Sequence, residues 1–156
     1  MNHLRRALLR GTGAAGALAV AAAAGLLKPT QVLAAEWNKT GFSATTAEDA
    51  LKSIGATATT SSNDILIKAP DIAENGAVVP IEVTSKIAGT QSIALVADKN
   101  PFPLVCTFNM ANGAEGYVHV RIKMGQSSNI RAIVNAGGKN YAAVKEVKVT
   151  IGGCGG

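Results

Sequence analysis

Histidine is nearly missing from this chain, with two in 156 residues, and aromatic side chains make up only 4%. His3 falls in the first few residues, which leaves His119 for chemistry in the body of the protein. A blue-copper site needs two histidines and a cysteine and is excluded by count, and a catalytic zinc site usually draws on several histidines. The ten acidic residues are scattered without a paired arrangement. A Ser–His–Asp triad has only His119 to draw on and no nucleophile-elbow motif beside it. His119 is therefore expected on the wet face of a strand, as a surface residue.

Runs of Lys and Arg with interleaved aromatics are also lacking, which removes the footprint of a nucleic-acid binder. The net charge of +5 comes mostly from the first 35 residues. Those residues hold Arg5, Arg6, Arg10 and Lys28, four of the 15 basic residues, so the remaining 121 carry 11 basic against 10 acidic side chains. The leading segment is expected to be an export signal. Arg5-Arg6 opens it, Ala14 to Leu27 is an Ala- and Gly-rich apolar run, and Val32-Leu33-Ala34-Ala35 offers small residues for cleavage. Arg5-Arg6-Ala7-Leu8-Leu9-Arg10 is similar to a twin-arginine signal, which exports folded proteins, so a periplasmic location is expected. The apolar run falls short of the roughly 20 strongly apolar residues a membrane span requires. No cysteine follows it to carry a lipid anchor.

Cysteine is scarce too, and its two positions differ in kind. Cys106 sits in the apolar run Leu104 to Phe108 and reads as a small buried hydrophobe. Cys154 stands in Gly152-Gly153-Cys154-Gly155-Gly156, where four of five residues have no side chain to bury. Glycine loses the most conformational freedom on ordering, so residues 152–156 are expected to form a flexible arm with an exposed thiol. An unperturbed thiol has a pKa of about 8.5 and is only slightly ionised at neutral pH. A carboxylate two residues on would raise that value by like-charge repulsion. With no second catalytic group beside it, Cys154 reads as a substrate for other active sites, not as an enzyme's nucleophile. Two other readings stay open at this point: a Cys106–Cys154 bridge tying the arm down, and a structural or interaction module that dimerises through a Cys154 disulfide. Prenylation is excluded because Cys154 is third from the end.

Between leader and arm, residues 36–151 read as one domain. A helix is expected from Ala47 to Ile54, capped by Thr45 or Thr46, with Glu48 and Asp49 in its first turn and Gly55 ending it. Strands are expected at Ile65 to Ile67, Val78 to Thr84, Ile93 to Ala97, Leu104 to Met110, Tyr117 to Met124, Ile130 to Val134 and Tyr141 to Ile151. Val118, Val120, Ile122 and Met124 alternate with His119, Arg121 and Lys123, as in an antiparallel strand with one solvated face. In the last strand Ala142 and Val144 fall on the opposite parity to Val147, Val149 and Ile151, which predicts a bulge near Lys145-Glu146. Pro80 predicts an edge position or a bulge for its strand. The fold class is an all-β, immunoglobulin-like antiparallel β-sandwich with a short N-terminal helix and a flexible C-terminal arm.

The ending Val147-Lys148-Val149-Thr150-Ile151-Gly152-Gly153-Cys154-Gly155-Gly156 resembles that of the SoxY family, the sulfur-carrier subunits of periplasmic thiosulfate oxidation. Ala69-Pro70-Asp71-Ile72-Ala73-Glu74-Asn75-Gly76, then Val79-Pro80-Ile81, is similar to that family's central signature, and Lys99-Asn100-Pro101-Phe102-Pro103 resembles it as well. The resemblance implies a heterodimer with a SoxZ-like subunit and sulfur carried covalently on Cys154, without a cofactor or metal of the chain's own. It implies a haem-containing enzyme that conjugates thiosulfate, a hydrolase that releases sulfate, and in some systems a sulfane dehydrogenase. Cys106 is one thiol more than such a carrier uses.

Overall fold

A computed structural model describes residues 37–111 and 113–150. Two short helices lead, α1 (Lys39–Phe42) and α2 (Ala47–Ser53). Strands follow: β1 (Thr60–Ser61), β2 (Ile65–Lys68), β3 (Ile72–Ala73), β4 (Val79–Ser85) and β5 (Thr90–Ala97). The series closes with β6 (Leu104–Asn109), β7 (Tyr117–Ile122), β8 (Ser128–Ala136) and β9 (Lys139–Val149). They form two sheets. One is ordered β2-β4-β7; the other runs β1-β9-β8-β5-β6, with β3 also on β9. The expected immunoglobulin-like sandwich with a short N-terminal helix is the fold the chain adopts.

Period-two patterning explains how the sheets face each other. Val79, Ile81 and Val83 of β4 and Val118 and Ile122 of β7 point one way and are buried. They meet Ile93, Leu95 and Ala97 of β5, Ile130, Ala132 and Val134 of β8, and Val147 of β9. Each large aliphatic side chain buried in this layer contributes roughly 1.5–3 kcal/mol relative to exposure. On the other face of β7 lie Tyr117, His119 and Arg121, all exposed, as the alternation predicts.

The larger sheet is covered on its second face as well. Ala94 and Val96 of β5, Ile133 of β8 and Leu104 of β6 pack against Ala50 and Ala56, with Leu51, Ile54 and Ala142 alongside. Helix α2 supplies that cover. Thr46 caps it by accepting a hydrogen bond from the Asp49 amide at 3.1 Å, and its hydroxyl donates to the Asp49 carboxylate at 2.7 Å. Asn38 caps α1 through the Gly41 amide at 2.9 Å and donates to the Ser53 carbonyl at 3.0 Å, joining the two helices.

This helical cover corrects the expected bulge near Lys145-Glu146. The β8–β9 pairing runs without a register shift from Ser128↔Val147 to Ala136↔Lys139. The change of parity in β9 arises because Tyr141, Ala143, Val147 and Val149 serve the inter-sheet core while Ala142 serves the helix layer. Its hairpin turn is the glycine pair Gly137-Gly138, with φ of 58° and 75°, the left-handed values a two-residue turn of this hand requires. Pro80 is also corrected in part. Strand β4 is central, but its pairing with β2 starts at Glu82↔Lys68, so Pro80 has only β7 beside it, opposite Arg121. Three small elements had no expectation: α1, and the two-residue strands β1 and β3, which lie parallel to β9. Segments that short carry no readable periodicity.

Candidate functional site

Cys154 and its neighbours Gly152, Gly153, Gly155 and Gly156 lie outside the described residues, as does the expected 1–35 leader. The structure does place Thr150, just past the end of β9, where the chain is held from both sides. On one side β3 pairs Ile72↔Lys148 and Ala73↔Val149. The Lys148 amide donates to the Asp71 carbonyl at 3.0 Å and the Thr150 amide to the Ala73 carbonyl at 3.1 Å. The Thr150 hydroxyl donates to the Glu74 carbonyl at 3.3 Å. On the other side the Ser127 hydroxyl accepts from the Val149 amide at 2.9 Å and donates to the Val149 carbonyl at 3.4 Å.

Gly76 completes this arrangement through close approach. A Cβ there would collide with the Met124 carbonyl oxygen and stand 2.8 Å from Val149 Cγ1, while the Met124 amide donates to the Gly76 carbonyl at 2.7 Å. Lys145 Nζ bonds Asp71 Oδ1 at 2.9 Å. That hydrogen bond, with the ammonium's charge, holds the exposed Asp71 carboxyl below the usual aspartate range. Little stability is expected from so exposed a pair.

The loop after β5 arrives at the same end of the sandwich. Asn100 Nδ2 donates to the Lys123 carbonyl at 2.8 Å, and Asn100 Oδ1 accepts from the Gly125 amide at 3.2 Å. The Lys99 amide donates to Ser128 Oγ at 3.0 Å. Behind it Arg131 grips Asp98 with two bonds, Nε to Oδ1 at 2.7 Å and a second to Oδ2 at 2.9 Å, and so holds its proton more tightly than usual. The two internal motifs, 69–76 and 99–103, are thus brought to the end of the sandwich that holds Thr150. Ser127 is the member of this site that sequence reasoning missed. It belongs to no motif, and a serine before an apolar strand gives no single-sequence signal of the bonds it makes.

Cys106 lies at the opposite edge of the sheet, on β6, with a free thiol. The register runs Cys106↔Leu95, Leu95↔Ala132, Ala132↔Ala143. Three strand spacings sideways and seven residues along β9 put Thr150 roughly 27 Å from Cys106. Four residues span at most about 14 Å, so a Cys106–Cys154 bridge cannot close while β6 and β9 are in place. Cys106 is partly buried against the core, and burial pushes its thiol up to about 11 against a weaker opposing hydrogen bond from Leu95. Two consequences follow. At pH 8, iodoacetamide should modify Cys106 about 10²-fold more slowly than a solvent-exposed thiol, since only the thiolate reacts. Because the folded value is raised, stability is full below the ordinary thiol range and falls as pH rises from about 9 toward 11. Alkylation as fast as that of glutathione would show instead that the thiol is open to water.

His119 sits opposite Glu82 on the exposed face of the small sheet. Its side chain makes no hydrogen bond among the described residues, so nothing there assembles a base and nucleophile. No group of three or more metal-ligating side chains occurs among the described residues. None of the described helices is long and apolar enough to cross a membrane.

A family model described as sulfur oxidation protein SoxY matches residues 50–154. The chain belongs to the SoxY family. The match spans the sandwich from α2 onward and reaches Cys154. A solved structure, the sulfur carrier protein SoxY from Chlorobium limicola f thiosulfatophilum, is 38% identical, with a TM-score of 0.62. The similarity covers 72% of this chain and 99% of that one. A search of curated proteins finds no match. Membership in SoxY places the chain among proteins of sulfur oxidation.

Proposed function

We propose that this chain is a non-catalytic covalent carrier of sulfur intermediates, attached at Cys154, during thiosulfate oxidation. The observation that carries the reading is a thiol between two glycine pairs, within the stretch that matches SoxY and just beyond a held strand end. The domains divide accordingly into a 1–35 export leader, a 36–151 body and a 152–156 arm. Four glycines keep the arm thin enough for a narrow cleft, and affinity for the enzymes must then come from the body or the cleft.

The chemistry balances without a catalytic group from this chain. The Cys154 thiol and the outer sulfur of thiosulfate form an S–S bond, releasing one proton and two electrons, and a haem-containing partner takes the electrons. Water then cleaves the S–SO₃ bond in a hydrolase, releasing sulfate and a proton and leaving Cys154 as a persulfide. A sulfane dehydrogenase can oxidise the remaining sulfur. A SoxZ-like subunit completes the carrier as a heterodimer, and the twin-arginine leader delivers the folded pair to the periplasm.

Mass spectrometry of the protein purified from thiosulfate-oxidising cells tests this. Adducts of thiosulfonate or persulfide mass should appear on the peptide containing Cys154 and not on that containing Cys106. Unmodified Cys154 under every turnover condition would overturn the reading.

A further inference from the structure

Strand β8 holds β9 only as far as Val147, which pairs with Ser128. Residues 148–150 lie past that pair, yet every one of them is tied down. Lys148 is held by Asp71, Val149 by Ala73 and Ser127, and Thr150 by Ala73 and Glu74. These ties come from a two-residue parallel strand and one serine, an unusual investment for three residues at the margin of a sheet. Gly76 lets the turn after β3 close onto Met124 and Val149, where any side chain would collide.

We propose that the 71–76 segment and Ser127 form a clamp whose role is to set the length of the tether that carries Cys154. This rests on the carrier reading given above. With the clamp closed the free tether begins after Thr150, and Cys154 reaches at most about 14 Å from it. With the clamp open the tether begins after Val147, and the reach grows to about 25 Å. The effective concentration of the thiol at a docked active site then falls about twofold, as the −3/2 power of tether length. Asp71, Gly76 and Ser127 are positioning residues that act through β9.

Pulsed electron–electron double resonance tests the clamp on the full folded chain. Spin labels are placed on Cys154 and on Thr57→Cys, in a Cys106→Ala background. The double variant Ser127→Ala/Gly76→Val should broaden the distance distribution and extend its long edge by about 10 Å, with the sandwich still folded by circular dichroism and its melting temperature lowered as Val149 leaves the core. Ser127→Ala alone should give part of that broadening if the valine variant fails to fold. Ser127→Thr, which keeps the hydroxyl, should restore the narrow distribution. Distributions of equal width in parent and Ser127→Ala, or a Ser127→Thr as broad as the alanine variant, would overturn the proposal. Failure here is separable from failure of the carrier reading. Sulfur adducts on Cys154 with unchanged distributions reject only the clamp, while a working clamp without adducts rejects only the carrier.

Discussion

Replacing Cys154 with serine should reduce thiosulfate-dependent turnover, reconstituted with the SoxZ-like subunit and enzymes proposed above, to that of a mixture lacking this chain. A hydroxyl cannot form the S–S bond on which the carrier role depends, and no other thiol can substitute. Cys106 is on the far edge of the larger sheet and its thiolate is suppressed by burial. The same variant should unfold within about 0.5 kcal/mol of the parent, because position 154 lies beyond every core residue named above. Turnover at the parental rate with serine at 154 would remove the thiol from the mechanism.

The second large effect is on stability. Leu95 is fully buried in β5, between β8 and β6, with its side chain in the inter-sheet core. Leu95→Ala should cost about 2–5 kcal/mol, from lost transfer energy and the cavity left behind. A domain of this size has about 5–15 kcal/mol in total, so the midpoint of urea unfolding should fall sharply. Val144, 54% exposed on β9, is the control, and Val144→Ala should change stability by no more than about 0.5 kcal/mol. A Leu95→Ala chain as stable as the Val144→Ala one would mean that the two sheets do not pack as described.

Much of the architecture was legible because half-buried strands leave a period of two in the sequence. Val118, Val120, Ile122 and Met124 declared their face, and Val118, Ile122 and Met124 are buried as expected. Thr46 declared its helix through the acidic residues that follow it. A strand covered on both sides keeps no such alternation. Ile93 to Ala97 is one apolar run because its odd positions serve the inter-sheet core and its even positions serve α2. The same double cover in β9 looked like a bulge. Patterning reports whether a side chain is wet, not which layer keeps it dry.

The amino-acid order by itself determined the sandwich, the position of its capped helix and the chemistry on offer: one lone histidine in the body, and one thiol among glycines. Those are consequences of side-chain type and local spacing, which act within a few residues. Only the tertiary structure decided that 69–76, 99–103 and Ser127 gather at the end of β9, and that Cys106 sits beyond the reach of position 154. Those relations depend on strand order and register, which arise from packing between segments dozens of residues apart and leave no local trace.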